Sequence, residues 1–105
     1  MIVHTVMLKF RERAEGRGKY ENTSRIRDRF FALKNETNGF LNMQVNMGDQ
    51  SVPGQYDLII VTTHRDAAAL TQYRNDPRFV SIRTQYEPLI ESKAVIDYEA
   101  GKQGD

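Results

Sequence analysis

The sequence predicts an α+β fold: a four-stranded antiparallel sheet with helices, in the order β-α-β-β-α-β. Three observations predict it. Residues 2–10, 40–48, 56–64 and 93–99 read as strands, either by alternation or as short β-branched apolar runs. Residues 20–34 and 67–86 carry apolar residues at helical spacing, the second stretch broken by Pro77. Turn signals separate them, among them "NETNG" and "DQSVPGQ".

In the opening strand, "IVHTVMLKF", alternate side chains point to opposite faces. His4 therefore shares a face with Val6, Leu8 and Phe10, while Val3, Thr5 and Met7 line the other. A charged, glycine-containing turn, "RERAEGRGK", leads to a helix over Tyr20–Lys34 with Ile26, Phe30 and Leu33 as its stripe. "NETNG" ends that helix, and Gly39 suits a left-handed cap. "FLNMQVNMG" alternates Leu41, Met43, Val45 and Met47 against Asn42, Gln44 and Asn46, the pattern of a half-buried strand. After the Pro53-Gly54 turn, "YDLIIVTTH" is apolar on both faces and belongs in the middle of the sheet. Asp66 caps "AAALTQYRN", and a second helical stretch from Arg78 aligns Phe79, Ile82 and Tyr86. "KAVIDYE" is the last strand, making residues 1–99 one domain, and "AGKQGD" (residues 100–105) reads as a polar, flexible tail.

This order is the split βαβ, or ferredoxin-like, arrangement, in which the helices cover one sheet face only. The other face would present Val3, Met7, Ile59 and Val61, or the residues on their opposite side, to water in one apolar patch, which soluble monomers rarely do. A second copy packed sheet to sheet removes the patch, so the expected partner is the chain itself, as a homodimer through its helix-free face.

Composition excludes several function classes. Residues are 39% hydrophobic and 28% charged, which fits a globular chain rather than a disordered one. There are no cysteines, so disulfides, thiol nucleophiles and thiolate metal sites are ruled out. The N-terminal apolar run is short and interrupted by His4 and Lys9, unlike a signal peptide, and no segment is long enough for a membrane span. The expected location is the cytoplasm, with neither membrane nor nucleic acid as partner. Net charge is +1, and although residues 9–34 hold nine Lys/Arg against four Asp/Glu, no glycine-rich phosphate cradle or aromatic interleaving accompanies them. That excess reads as a solvated helix face.

Four stretches in order, "IVHTVMLKF", "YDLIIVTTH", "ALTQYRNDPRFV" and "AVIDYE", make the chain resemble the stress-responsive A/B-barrel domain (Dabb) family from Met1 to about Glu99. The resemblance implies a dimeric α+β barrel built from two ferredoxin-like units. Some members are stress-induced proteins forming stable oligomers, and others are small polyketide cyclases. In the plant cyclase a first-strand histidine and a histidine after the broken helix's proline carry the acid–base work, assisted by a tyrosine before that proline. His4 and Tyr73 match the first and the third of these, whereas the second histidine falls at Phe79. A further common family histidine, immediately before the proline, is Asp76. The two-histidine mechanism therefore does not carry over, since proton removal and return need a donor and acceptor within reach.

His4 and Tyr73 are thus the candidate catalytic residues. The candidate ligand pocket lies between sheet and helices, walled by Val6, Leu8, Leu58 and Ile60 from strands and by Phe30, Phe79, Ile82 and Tyr86 from helices. The same residues also describe a packed core in which His4 bonds to Tyr73 or a backbone carbonyl. His64, at a strand end beside Arg65-Asp66, reads as a capping or surface residue. Two histidines without a third ligand at metal spacing announce no metal site, and no cofactor is implied. The expected function is binding of a small apolar or aromatic molecule in that pocket. The alternative is a noncatalytic stress or assembly dimer, with a cyclase-like enzyme behind it.

Overall fold

Strand β1 (Ile2–Phe10) sits inside a four-stranded sheet, flanked on one side by β5 (Leu58–His64) and on the other by β6 (Ile90–Glu99), with β4 (Asn42–Met47) outside β5. All neighbours are antiparallel, in the order β4-β5-β1-β6. This computed structural model describes residues 1–101. Its α+β architecture is ferredoxin-like: α1 (Lys19–Glu36), α2 (Ala67–Asn75) and α3 (Pro77–Tyr86) pack on one sheet face.

Burial follows the strand phase. In β1, His4, Val6, Leu8 and Phe10 turn inward, and in β5 Leu58, Ile60, Thr62 and His64 do the same. Met43 and Val45 of β4 complete the inner face, against Ile26, Phe30 and Leu33 of α1 and Phe79, Ile82 and Tyr86 of α3. Each junction has a local cause. Asp66 accepts from Ala69 N at 2.9 Å and starts α2, while Asp76 ends α2 and caps α3 by accepting from Arg78 N at 2.8 Å. Pro77 occupies the first turn of α3, where its missing N–H leaves no orphan.

Several boundaries differ from the sequence reading. Within "RERAEGRGK" a small hairpin forms, β2 (Arg13–Ala14) and β3 (Arg17–Gly18), because Glu15 and Gly16 both take positive φ (52° and 80°) as a tight two-residue turn requires. Gly39 is not a left-handed cap. The chain leaves α1 extended at Thr37 (φ −144°), and Thr37 Oγ1 accepts from Gly39 N at 3.1 Å. Strand β6 starts at Ile90, straight after a 3-10 turn over Glu87–Leu89 that contains Pro88. On the helix-free face Val3 is already shielded, at 9% exposure, by its neighbours within the chain. Of the tail, Ala100 donates its N–H to Met1 O at 2.7 Å, and residues 102–105 lie outside the described residues.

Candidate functional site

A polar row crosses the middle of the inner sheet face. Thr62 of β5 is opposite His4 of β1, and His4 is opposite Asp97 of β6. His4 is 5% exposed and hydrogen-bonds through Nδ1 to Asp97 Oδ1. Arg74, in the last turn of α2, donates from Nη2 to Asp97 Oδ2 at 2.6 Å. Each carboxylate oxygen of Asp97 thus has a partner. Burial alone would raise its carboxyl pKa, but the His4 hydrogen bond, followed by the charges of His4 and Arg74, holds it below the usual carboxylate range. With a carboxylate acceptor at Nδ1, that ring nitrogen carries a proton, and in the neutral tautomer Nε2 is the basic nitrogen.

Above this pair lies a cleft of about 200 Å³, between α2, α3 and the β1–β6 edge. His4, Val6, Phe79, Tyr86 and Val95 form its body, and Arg74, Arg83 and Lys93 stand around them. Of the expected pocket residues, His4, Val6, Phe79 and Tyr86 are brought together here. Leu8, Phe30, Leu58 and Ile60 are packed into the core instead, at 3% exposure or less. Ile82 is also core and touches a separate surface groove with Leu33 and Pro77. The reason is geometric: α1 packs over β4 and β1 and α2 over β1 and β5, which buries these side chains, while a cleft stays open beside β6.

Tyr73 is 2% exposed and turns toward a neighbouring cleft of about 280 Å³ that it shares with Phe40 and His64. Its ring meets His4 edge-on at 6.5 Å between centroids and stacks at 4.8 Å on Phe79. Burial first, then the Tyr86 and Asp76 neighbours, pushes the Tyr73 hydroxyl above its ordinary range, so it stays protonated.

His64 corrects the sequence reading: it is neither a cap nor a surface group but fully buried, 0% exposed. The phase of β5 places it inward beside Thr62. Its Nδ1 donates to Gly39 O at 3.2 Å and its Nε2 accepts from Thr62 Oγ1 at 2.8 Å, the bonding pattern of a neutral ring. Burial lowers its pKa from 6.5, opposed by the Gly39 carbonyl. Below that ordinary value the unfolded chain takes up a proton that the folded chain refuses, so stability falls as pH drops through about 6.5 and the effect vanishes above it. Urea unfolding at about pH 7.5 and about pH 5.5 should show this loss, and His64→Gln should show less of it. An equal pH slope in both proteins would contradict the assignment.

Sequence reasoning missed Asp97 and Arg74. The signal was present in "AVIDYE": an aspartate in the inward phase of an edge strand, opposite a histidine once first and last strands pair. Among the described residues no three His, Asp or Glu side chains gather as metal ligands.

The family model described as Stress responsive A/B Barrel Domain (Dabb) matches residues 2–100. The chain belongs to the Dabb family. Solved structures agree with the fold. A dimeric ferredoxin-like protein of unknown function from Thermobifida fusca superposes with a TM-score of 0.79 at 11% identity, over 92% of this chain and 88% of that one. A Dabb family protein from Mesorhizobium loti gives 0.71 at 21%, over 93% and 94%. The hydroxynitrile lyase from Passiflora edulis gives 0.73 at 13%, over 92% and 90%. At such identities the likeness establishes architecture alone. A search of curated proteins by sequence finds no match. No described helix of this Dabb chain is long and apolar enough to cross a membrane.

Proposed function

We propose that this Dabb protein works as a homodimer and holds a small apolar or aromatic molecule in the cleft above His4. One observation carries the reading: the cleft joins apolar walls (Val6, Phe79, Tyr86, Val95) to a half-hidden His4–Asp97 pair. Apolar surface for the body of a ligand and one or two convergent polar groups for its orientation are what a small-ligand site requires. At about 200 Å³ it lies below the roughly 300–1,000 Å³ of drug-sized sites, which restricts the occupant to a compact molecule.

A second reading is favoured by the same pair. Asp97 orients the His4 ring and Arg74 fixes Asp97, so that Nε2 of His4 has the arrangement of a general base. That arrangement supports proton transfer to or from a bound molecule without the second histidine that Phe79 replaces. The Passiflora edulis neighbour, a lyase, supports the idea that this architecture can host chemistry.

The homodimer rests on the helix-free face, where Met7, Ile59 and Val61 are half-buried and Ile96 and Tyr98 are 59% and 50% exposed. The dimeric ferredoxin-like neighbours from Thermobifida fusca and Bacteroides fragilis point the same way.

Native electrospray mass spectrometry of the purified protein tests the cleft. A compound should remain bound to the wild type, and His4→Gln should release it. Gln keeps a donor for Asp97, so this variant should lose only about 1 kcal/mol of stability. A variant that retains the compound, or a wild type that never holds one, would retire the reading.

A further inference from the structure

The mouth of the His4 cleft carries more positive charge than an apolar ligand would need. None of the eight residues that line it is acidic, and three of them, Arg74, Arg83 and Lys93, are cations. Arg74 is committed to Asp97, whose oxygens it shares with His4. The other two are not neutralised in the same way. Among the described residues no side chain pairs with Lys93, which stands on the β6 edge strand opposite Leu8 and so on the cleft side of the sheet. Arg83 lies over the Phe79 ring, 5.8 Å from its centroid, and its one carboxylate partner, Glu87 at 3.7 Å, is 59% exposed. An ion pair so open to water is weak, and the guanidinium retains unshared donors.

Resting on the cleft reading above, we propose that the ligand class is a small amphipathic anion: an aromatic or apolar body bearing one carboxylate. The body would lie against Val6, Phe79, Tyr86 and Val95, with the carboxylate between Arg83 and Lys93. Arginine offers a carboxylate a planar fork, and lysine adds a point charge on a flexible stem. The aromatic stack under Arg83 keeps the guanidinium at the apolar wall, where a ligand's ring and its charge can be met together. Asp97 does not oppose an anion there, because both of its oxygens face cations or a ring N–H.

Benzoate and benzamide test this, since they share size and shape and differ in charge. Calorimetric titration of the full chain should show benzoate binding at least about tenfold more tightly than benzamide. Added salt should narrow that gap, as screening of a partly exposed pair predicts. Lys93→Gln and Arg83→Gln should each reduce the preference, and Lys34→Gln, a remote cation on α1, should not. Lys93 is exposed on an edge strand, so its replacement leaves the core untouched. Equal binding of the two probes would overturn the anion class and leave the cleft as a ligand site. Binding of neither would also overturn it, and the cleft itself is then judged by the native mass spectrum.

Discussion

Asp57→Ala should destabilise the protein by about 2–4 kcal/mol, a large share of the ~5–15 kcal/mol that holds a domain of this size together. The cause is a mismatch in strand length. Strand β5 begins at Leu58, opposite Leu8, while β1 runs on to Phe10. Phe10 is fully buried, and the β1–β5 pairing ends before it. Asp57 takes the place of the missing ladder partner: its Oδ2 accepts from Phe10 N at 2.8 Å. Its backbone continues the same knot, donating to Leu8 O at 2.9 Å and accepting from Gly48 N at 2.8 Å. Lys19, at 3.7 Å from Oδ2, sets a partial counter-charge against a carboxylate that is itself only 6% exposed. Alanine removes a charge-assisted bond and orphans a buried donor, and an orphaned donor bears the full desolvation cost. Asn, which keeps an acceptor oxygen without the charge, should lose roughly half as much. Urea unfolding at one fixed protein concentration measures both, since oligomer stability depends on concentration. An alanine variant within about 0.5 kcal/mol of wild type would show that the bond is dispensable.

Asp57 also shows where the sequence stops being readable. The order of the main elements, the phase of β1 and the cap at Asp66 follow from periodicity and short-range chemistry, which a single chain displays directly. The inward set His4, Val6, Leu8 and Phe10 was legible for that reason. What was not legible depends on pairing between distant segments. Asp57 matters only because β1 outruns β5, and Asp97 only because the first and last strands are neighbours with His4 opposite it. His64 failed differently: its phase was visible, but a polar residue at a strand end was given to solvent, whereas α2 and the Gly39 segment cover it. Core and cleft wall are not separable in the sequence for a related reason. Inward-facing residues cannot be divided into core and cleft wall until it is known how far the helices reach across the sheet. Here they pack over β4, β1 and β5 and leave a cleft beside β6.

Val61→Lys should abolish the homodimer proposed above at micromolar concentration. Val61 lies on the helix-free face at the middle of the sheet, between Thr5 of β1 and Gln44 of β4. Around it that face is divided. The β4 edge presents Asn42, Gln44 and Asn46, while Ile59, Val61, Met7, Ile96 and Tyr98 make the opposite side apolar. An interface centred on β5, β1 and β6 would bury this apolar part and leave the amide edge at its rim, the usual distribution of a stable contact. In a two-fold dimer each substitution appears twice, so two unpaired ammonium groups would enter the contact. A buried charge without a partner costs several kcal/mol, more than a typical interface can absorb. Outside the dimer the same lysine can turn its head to water along its apolar stem, so the separated chain should remain folded. Sedimentation equilibrium of wild type, Val61→Lys and Gln72→Lys separates these effects, because Gln72 is exposed on α2 in the helix layer. Wild type and Gln72→Lys should sediment as dimers and Val61→Lys as a monomer with native circular dichroism. A monomeric wild type would remove the dimer altogether. A dimeric Val61→Lys with unchanged affinity would move the contact to another face and leave the apolar patch of β5, β1 and β6 without the partner that explains it.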